Sequence, residues 1–346
     1  MGDCTKISNK IYMPLYLRNI MAQIDVNSLE AADIITFDGE KDDVLSQLIC
    51  LLTDSEVSHA AIFIQQNPAL LADAGLVGLA LHQVADVGDP LRVVHIGRLN
   101  NATSVNRLPI TDIARKYVAE DLVYPMPDLI MVGLILIYKN FSKVGLRQSL
   151  VIAFLKAATV FISHILDEKK YQGKHPMICS EFVYHCYAEA SSSNPDLALH
   201  LEDADLRRGF PSREMSLVDH LKSYSQARGF SLETPLLNNN LDESDDDIID
   251  PMVAAKNLLA SLKEKTFDFG HRSLYADNEH LSLVVRNFLT AYNKLCSISP
   301  ARNLGGLLAD SYAAQAMFVT PNDLLNHITN VNNLGKFPIY RDPKKH

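Results

Sequence analysis

Three residue types set the chemistry this chain can offer: one cysteine at a helix start and two histidines on strand-like segments. Cys179 opens ICSEFVYHCYAEA, residues 178–190, where a polar pair, Ser180 and Glu181, is followed by apolar and aromatic residues at helical spacing. A helix N-terminus carries free N–H groups and positive potential, which favour a thiolate and can hold a developing oxyanion. A cysteine nucleophile also needs a base, and His59 in SHAAIFIQ (58–65) opens an apolar strand pattern that would put its imidazole at a sheet rim. A third polar group must orient that imidazole. His82 on the next strand-like run suits the position, with Gln83 and Asp86 as alternatives, because one residue of register turns the other face. On residue chemistry alone, a helix-start cysteine is more often a packed thiol and a strand histidine more often a structural residue.

Other chemistries find less support. His185 and Cys186 lie close to Cys179, but the two cysteines are two helical turns apart and no second ligand cluster accompanies them, so no metal is expected. The acidic stretch NNNLDESDDDIIDP (238–251) lacks the spaced ligands and central glycine of a calcium loop and reads as an exposed loop. There is no G-x-S-x-G, P-loop, H-E-x-x-H or G-x-G-x-x-G pattern, and no cofactor is expected. A net charge of −9 without a Lys/Arg stripe argues against nucleic acid as a partner. Five widely spaced cysteines suggest a reducing compartment rather than a disulfide framework.

The elements that must position these residues follow from the hydropathy pattern of the 346 residues. Residues 1–29 read as an N-terminal extension with some helical character. Strands are expected at 32–37, 58–65, 78–87 and 91–99, with GDP as the turn before the last, and a helix at 43–54 capped by Asp42 or Asp43. Helices are expected over 109–121, 127–166, 175–190, 251–264 and 278–296, with a cap-and-helix signature in VTPNDLLNHI (319–328). The most apolar region, 129–162, is interrupted by Lys139 and Lys156. It reads as two core helices rather than a membrane span, a membrane-surface or acyl-chain-binding role being the other reading.

Taken together, three motifs resemble one family. AADIITF followed by a helix and SHAAIFI resembles a "GDII-f-g" strand and an "SH-gi" strand; ICSEFVYHCYAEA resembles a "CSE-v--ay" nucleophile helix; VTPNDLLNHI resembles a closing "TP-dL" segment. They occur in the order of the circularly permuted branch of papain-like NlpC-type cysteine hydrolases, which includes the YiiX-like proteins and the lecithin:retinol acyltransferase-like enzymes. Two departures are Ala32 for the glycine before Asp33 and Ala60–Ala61 for a Val–Gly pair after the histidine. The resemblance implies an α+β, permuted papain-like fold: a small antiparallel sheet packed on helices, with a core of 30–190, a mostly helical insertion or cap at 191–314, and a return segment at 315–346. It implies Cys179 as nucleophile, His59 as base and His82 as orienting residue, with Tyr124 near the site.

The expected function is a cysteine-dependent hydrolase or acyltransferase acting through a thioester on an amide, in a peptide or a protein Gln/Asn side chain, or on an ester. A lipid acyl hydrolase or acyltransferase is the alternative, and a catalytically silent interaction module on the same scaffold is a second. The substrate is expected to be a peptide, protein or lipid ester, and a protein partner would use 191–314; contact with a membrane would not span it. The expected location is cytoplasmic, or inside another cell after delivery without a signal peptide, as for a bacterial effector.

Overall fold

The computed structural model describes residues 25–75, 78–85, 91–100, 102–120, 126–139, 147–168, 177–202, 216–236, 250–264, 278–296 and 301–341. The expectations that concern 1–24, Asp86, the 88–90 turn, Tyr124, Pro176 and most of the acidic stretch (238–249) lie outside the described residues.

The architecture is α+β. Six strands, β1 (Ile34–Asp38), β2 (Val57–Gln65), β3 (Leu70–Gly75), β4 (Gly78–Ala85), β5 (Leu91–Leu99) and β6 (Val331–Arg341), pair antiparallel and close into a barrel in the order β1-β2-β3-β4-β6-β5. The antiparallel sheet expected from the sequence has two strands beyond those its pattern suggested: β3, between β2 and β4, and β6, which pairs with both β4 and β5.

The barrel explains why VSHAAIFI reads as an almost unbroken apolar run. One face of β1, β2, β3 and β4 supplies Ile35, Phe37, Ala61, Phe63, Leu71 and Val84 to the interior, with Val94, Ile96, Phe337 and Ile339 opposite. The other face, with Ile34, Ala60, Ile62, Ile64 and Ala72, packs under helices. Both faces are buried, so the usual polar alternation disappears.

Ten α-helices are described. After β1, α1 (Val44–Thr53) starts on Asp43, whose carboxylate accepts from the Leu45 and Ser46 N–H groups at 2.8 and 3.4 Å. After β5 come α2 (Leu108–Ala119), α3 (Pro127–Tyr138), α4 (Gln148–Asp167) and α5 (Cys179–Ser191). The apolar region expected as two core helices is thus α3 and α4. In α3 nearly every side chain is buried, which fits a helix that is apolar on all sides. Among the described residues α4 is the one helix long and apolar enough to cross a membrane, and 44% of its most apolar window is buried inside the protein.

The segment expected as an insertion forms α6 (Leu217–Ala227), α7 (Pro251–Lys263), α8 (Asn278–Cys296) and α9 (Leu304–Met317). These helices pack on α1, α3 and α4 and share one continuous apolar core with the outer face of the barrel. Gly133 of α3 marks how close the approach is: a Cβ there would lie 2.5 Å from Phe288 Cζ on α8. The last helix, α10 (Pro321–Asn326), has a capping box between Thr320 and Asp323 and leads into β6.

Candidate active site

His59 lies on β2 with its backbone opposite Phe37 of β1, and the two rings sit 5.4 Å apart between centroids. Asp73 on β3 pairs with Ala61, and His82 on β4 pairs with Leu71. Residues two apart on a strand share a face, so His59, Asp73 and His82 occupy the same face of three adjacent strands, each diagonal to the next. Their side chains meet accordingly. His59 Nε2 is 2.8 Å from Asp73 Oδ2, and His82 Nε2 is 2.9 Å from Asp73 Oδ1. All three residues are buried.

The carboxylate that holds the His59 ring is therefore Asp73, a residue that the sequence pattern did not single out. His82, expected in that role, stands one step further along and braces Asp73 from the far side. Gln83 is on the opposite strand face from His82. A signal for Asp73 existed in the sequence: an acidic residue inside the short apolar run LLADAG is expensive to bury unless something charged or hydrogen-bonding meets it.

Cys179 is the first residue of α5, and its N-cap, Ile178, makes no side-chain cap. The first N–H groups of the helix have no intrahelical partner. The helix packs against β2 and β3, which brings its start over His59. Two further contacts fix it. Tyr187 donates its hydroxyl to the Ala32 carbonyl ahead of β1, and Ser180 Oγ donates to the Val319 carbonyl at 2.7 Å. The second contact links two of the motifs read from sequence: the serine after the cysteine clamps the VTP segment.

Burial alone would depress the His59 imidazole, but neighbouring Cys179 and the hydrogen bond to Asp73 outweigh burial and push it up to about 10. Burial raises the Cys50 thiol to about 11, and raises Cys186 and Cys296 further. With Nε2 engaged by Asp73, Nδ1 is the ring nitrogen left to serve the thiol. A thiol, an imidazole and a carboxylate in series can hold a thiolate–imidazolium pair and move a proton to and from it.

One more group reaches this point. Asp128, in the first turn of α3, brings a carboxylate oxygen to within 4.8 Å of a His59 nitrogen and the Cys179 sulfur, the three atoms all lying within that distance of one another. Its Oδ1 is buried and makes no hydrogen bond. Burial raises its carboxyl to about 6 despite the attraction of His59. Nothing in the sequence marked it, because α3 meets the barrel only in the folded chain. One nitrogen, one oxygen and one sulfur at such spacing is also a set that could ligate a borderline metal such as zinc. Asp38, Glu56 and His95 form a second set of potential ligands on the other side of β1.

No family model, curated protein or solved structure matches this chain.

Proposed function

We propose that the protein is a cysteine-dependent acyl hydrolase or transferase with the permuted papain-like arrangement that its motifs resemble. The observation that carries this reading is the unbroken series Cys179–His59–Asp73, with the cysteine at an uncapped helix start. In this mechanism His59 Nδ1 holds the Cys179 proton, and the thiolate attacks a carbonyl of an amide or ester. The Cys179 N–H, unpaired at the helix start, donates to the oxyanion. As the tetrahedral intermediate collapses, the imidazolium gives its proton to the leaving nitrogen or oxygen and a thioester remains. His59 then takes a proton from water, or from an acceptor amine or alcohol, which attacks the thioester and frees the thiol. Asp73 keeps the ring oriented and steadies its positive charge throughout, as the carboxylate of a triad does.

Cys179 is fully buried. A carbonyl reaches it only when neighbouring groups move aside, so an opening step belongs to the cycle. Iodoacetamide, small enough to exploit brief opening, tests the pair directly. Alkylation of each cysteine is read by peptide mass spectrometry in the native protein and in His59→Ala. At neutral pH Cys179 is expected to label at least about tenfold faster than Cys50, and to lose that lead without the imidazole. Equal rates in the two proteins would mean that Cys179 is a packed thiol.

A further inference from the structure

We propose that Asp128 is a specificity residue: its carboxylate accepts a hydrogen bond from an N–H on the atom bonded to the scissile carbonyl, so the site takes amides and turns esters away. The inference rests on Cys179 being the nucleophile, as proposed above.

The triad is complete without Asp128. Asp73 already orients His59, and the helix start already supplies oxyanion donors. Yet Asp128 holds a carboxylate oxygen within 4.8 Å of both the sulfur and a nitrogen of the imidazole. Its placement is specific. Met126, which precedes α3, adopts a left-handed backbone with φ 53°, Pro127 fixes the next residue, and Asp128 follows in the first turn. A left-handed non-glycine residue costs conformational energy, and here it sets the direction in which α3 begins.

The second observation is the orphaned acceptor. A buried carboxylate oxygen without a donor is costly, and such groups in folded proteins call for a reason. The charged groups that face Asp128 do not relieve it by hydrogen bonding to Oδ1: His59 and Asp73 from the barrel, Cys179 from α5, Asp43 ahead of α1 and Arg92 from β5. An amide supplies the missing donor. Whether the leaving group is –NH₂ or a peptide nitrogen, one N–H can point at Oδ1 while His59 protonates the nitrogen lone pair. An ester puts oxygen lone pairs against carboxylate lone pairs and leaves Oδ1 buried and unpaired. Sites with such a requirement discriminate strongly against analogues that lack the donor.

The test uses two alkylating reagents of nearly the same size, iodoacetamide and methyl iodoacetate, which differ in carrying –NH₂ or –OCH₃. N-acetylcysteine in the same reaction sets their intrinsic rate ratio. The amide-to-ester ratio at Cys179 is expected to exceed that reference by about tenfold or more, and to fall to it in Asp128→Leu. A wild-type ratio equal to the reference overturns the proposal without recourse to any variant, so a poorly folded Asp128→Leu would not shelter it. A ratio that survives in folded Asp128→Leu overturns it too. Failure of both reagents to label Cys179 would sink the hydrolase reading itself and this inference with it, an outcome distinct from a flat ratio.

Discussion

Two buried carboxylates hold the opposite ends of the same story. Asp33, just ahead of β1, is fully buried and saturated. It receives Arg98 Nε at 2.8 Å, Arg98 Nη2 at 2.7 Å, Arg107 Nη1 at 3.0 Å and the Glu30 N–H at 2.8 Å. Its partners are guanidiniums, which stay charged at any relevant pH. Asp73, equally buried, is held by two histidines, which can change charge. Asp128 nearby keeps one oxygen without a donor. The first arrangement has every acceptor met by a donor, which suits a fixed joint between the start of the barrel and α2. The second keeps protons and acceptors in reserve, which suits chemistry.

The sharpest way to break this contrast is to remove Asp33. In Asp33→Ala, Arg107, 1% exposed, loses its most buried counter-charge. Stranding a buried charge fully costs about 3–5 kcal/mol; Glu30 still pairs with Arg107 and Arg98, so urea unfolding should show a smaller loss, about 2–4 kcal/mol. Where the protein remains folded, the rate of Cys179 alkylation should stay at its native value. A change in that rate larger than the change in stability would show that the two carboxylates are not separate devices.

The converse is Asp73→Asn. The shape stays, but the charge that supports the imidazolium goes. Alkylation of Cys179 is expected to slow by about 10–100-fold, equivalent to roughly 1.4–2.7 kcal/mol, with a smaller effect on the urea midpoint than Asp33→Ala. His82→Ala, which removes only the brace behind Asp73, should slow it less. If Asp73→Asn labelled as fast as the native protein, the carboxylate would be structural, like Asp33.

The same contrast explains what could be read from sequence. Cys179 and His59 could be found because each sits at the start of a strongly patterned element. Most of the helices were legible from periodicity, and Asp43, one of two cap candidates for α1, is the cap observed; α6 and α9 were not singled out. Asp73 was missed because LLADAG is rich in alanine and glycine, which favour strands weakly, and the pattern gave no β3 to carry it. β6 was missed for a related reason: VNNLGKFPIYR contains asparagines, a glycine and a proline, and becomes a strand because β5 and β4 offer it partners. The barrel closes through β6, which pairs with both β4 and β5. Asp128 was out of reach altogether, since its meaning depends on where α3 lands.

A third carboxylate sharpens the comparison through pH. Glu181, two residues beyond Cys179, has its carboxyl raised by burial from 4.5 to about 7, with a backbone hydrogen bond at Ile178 working the other way. Its side chain keeps some exposure while the carboxyl stands well inside the fold. A folded value above the unfolded one means that the folded state holds the proton more tightly. No penalty exists below the unfolded value of 4.5, and stability is lost as pH rises through about 7. Glu181→Gln should therefore leave stability unchanged in acid and raise it by about 1–2 kcal/mol above neutrality, after discounting for solvent screening. A stabilisation that did not vary with pH would mean that packing, not ionisation, is responsible.

The smallest effect concerns the residue beside Asp33. Ala32 stands where the resembling motif has glycine, and its backbone is left-handed, with φ 64°. Its N–H donates to the Phe63 carbonyl at 2.8 Å and its own carbonyl accepts from Tyr187 on the cysteine helix. The turn is thus pinned from both sides and cannot relax. A left-handed alanine costs about 1–2 kcal/mol, whereas glycine adopts the conformation freely but loses more entropy on folding. Ala32→Gly should come out about 0.5–1 kcal/mol more stable by urea unfolding, with Cys179 labelling unchanged. A loss of stability would instead mean that the methyl group's packing in the apolar core outweighs the backbone strain, and that this chain has adapted the turn to alanine.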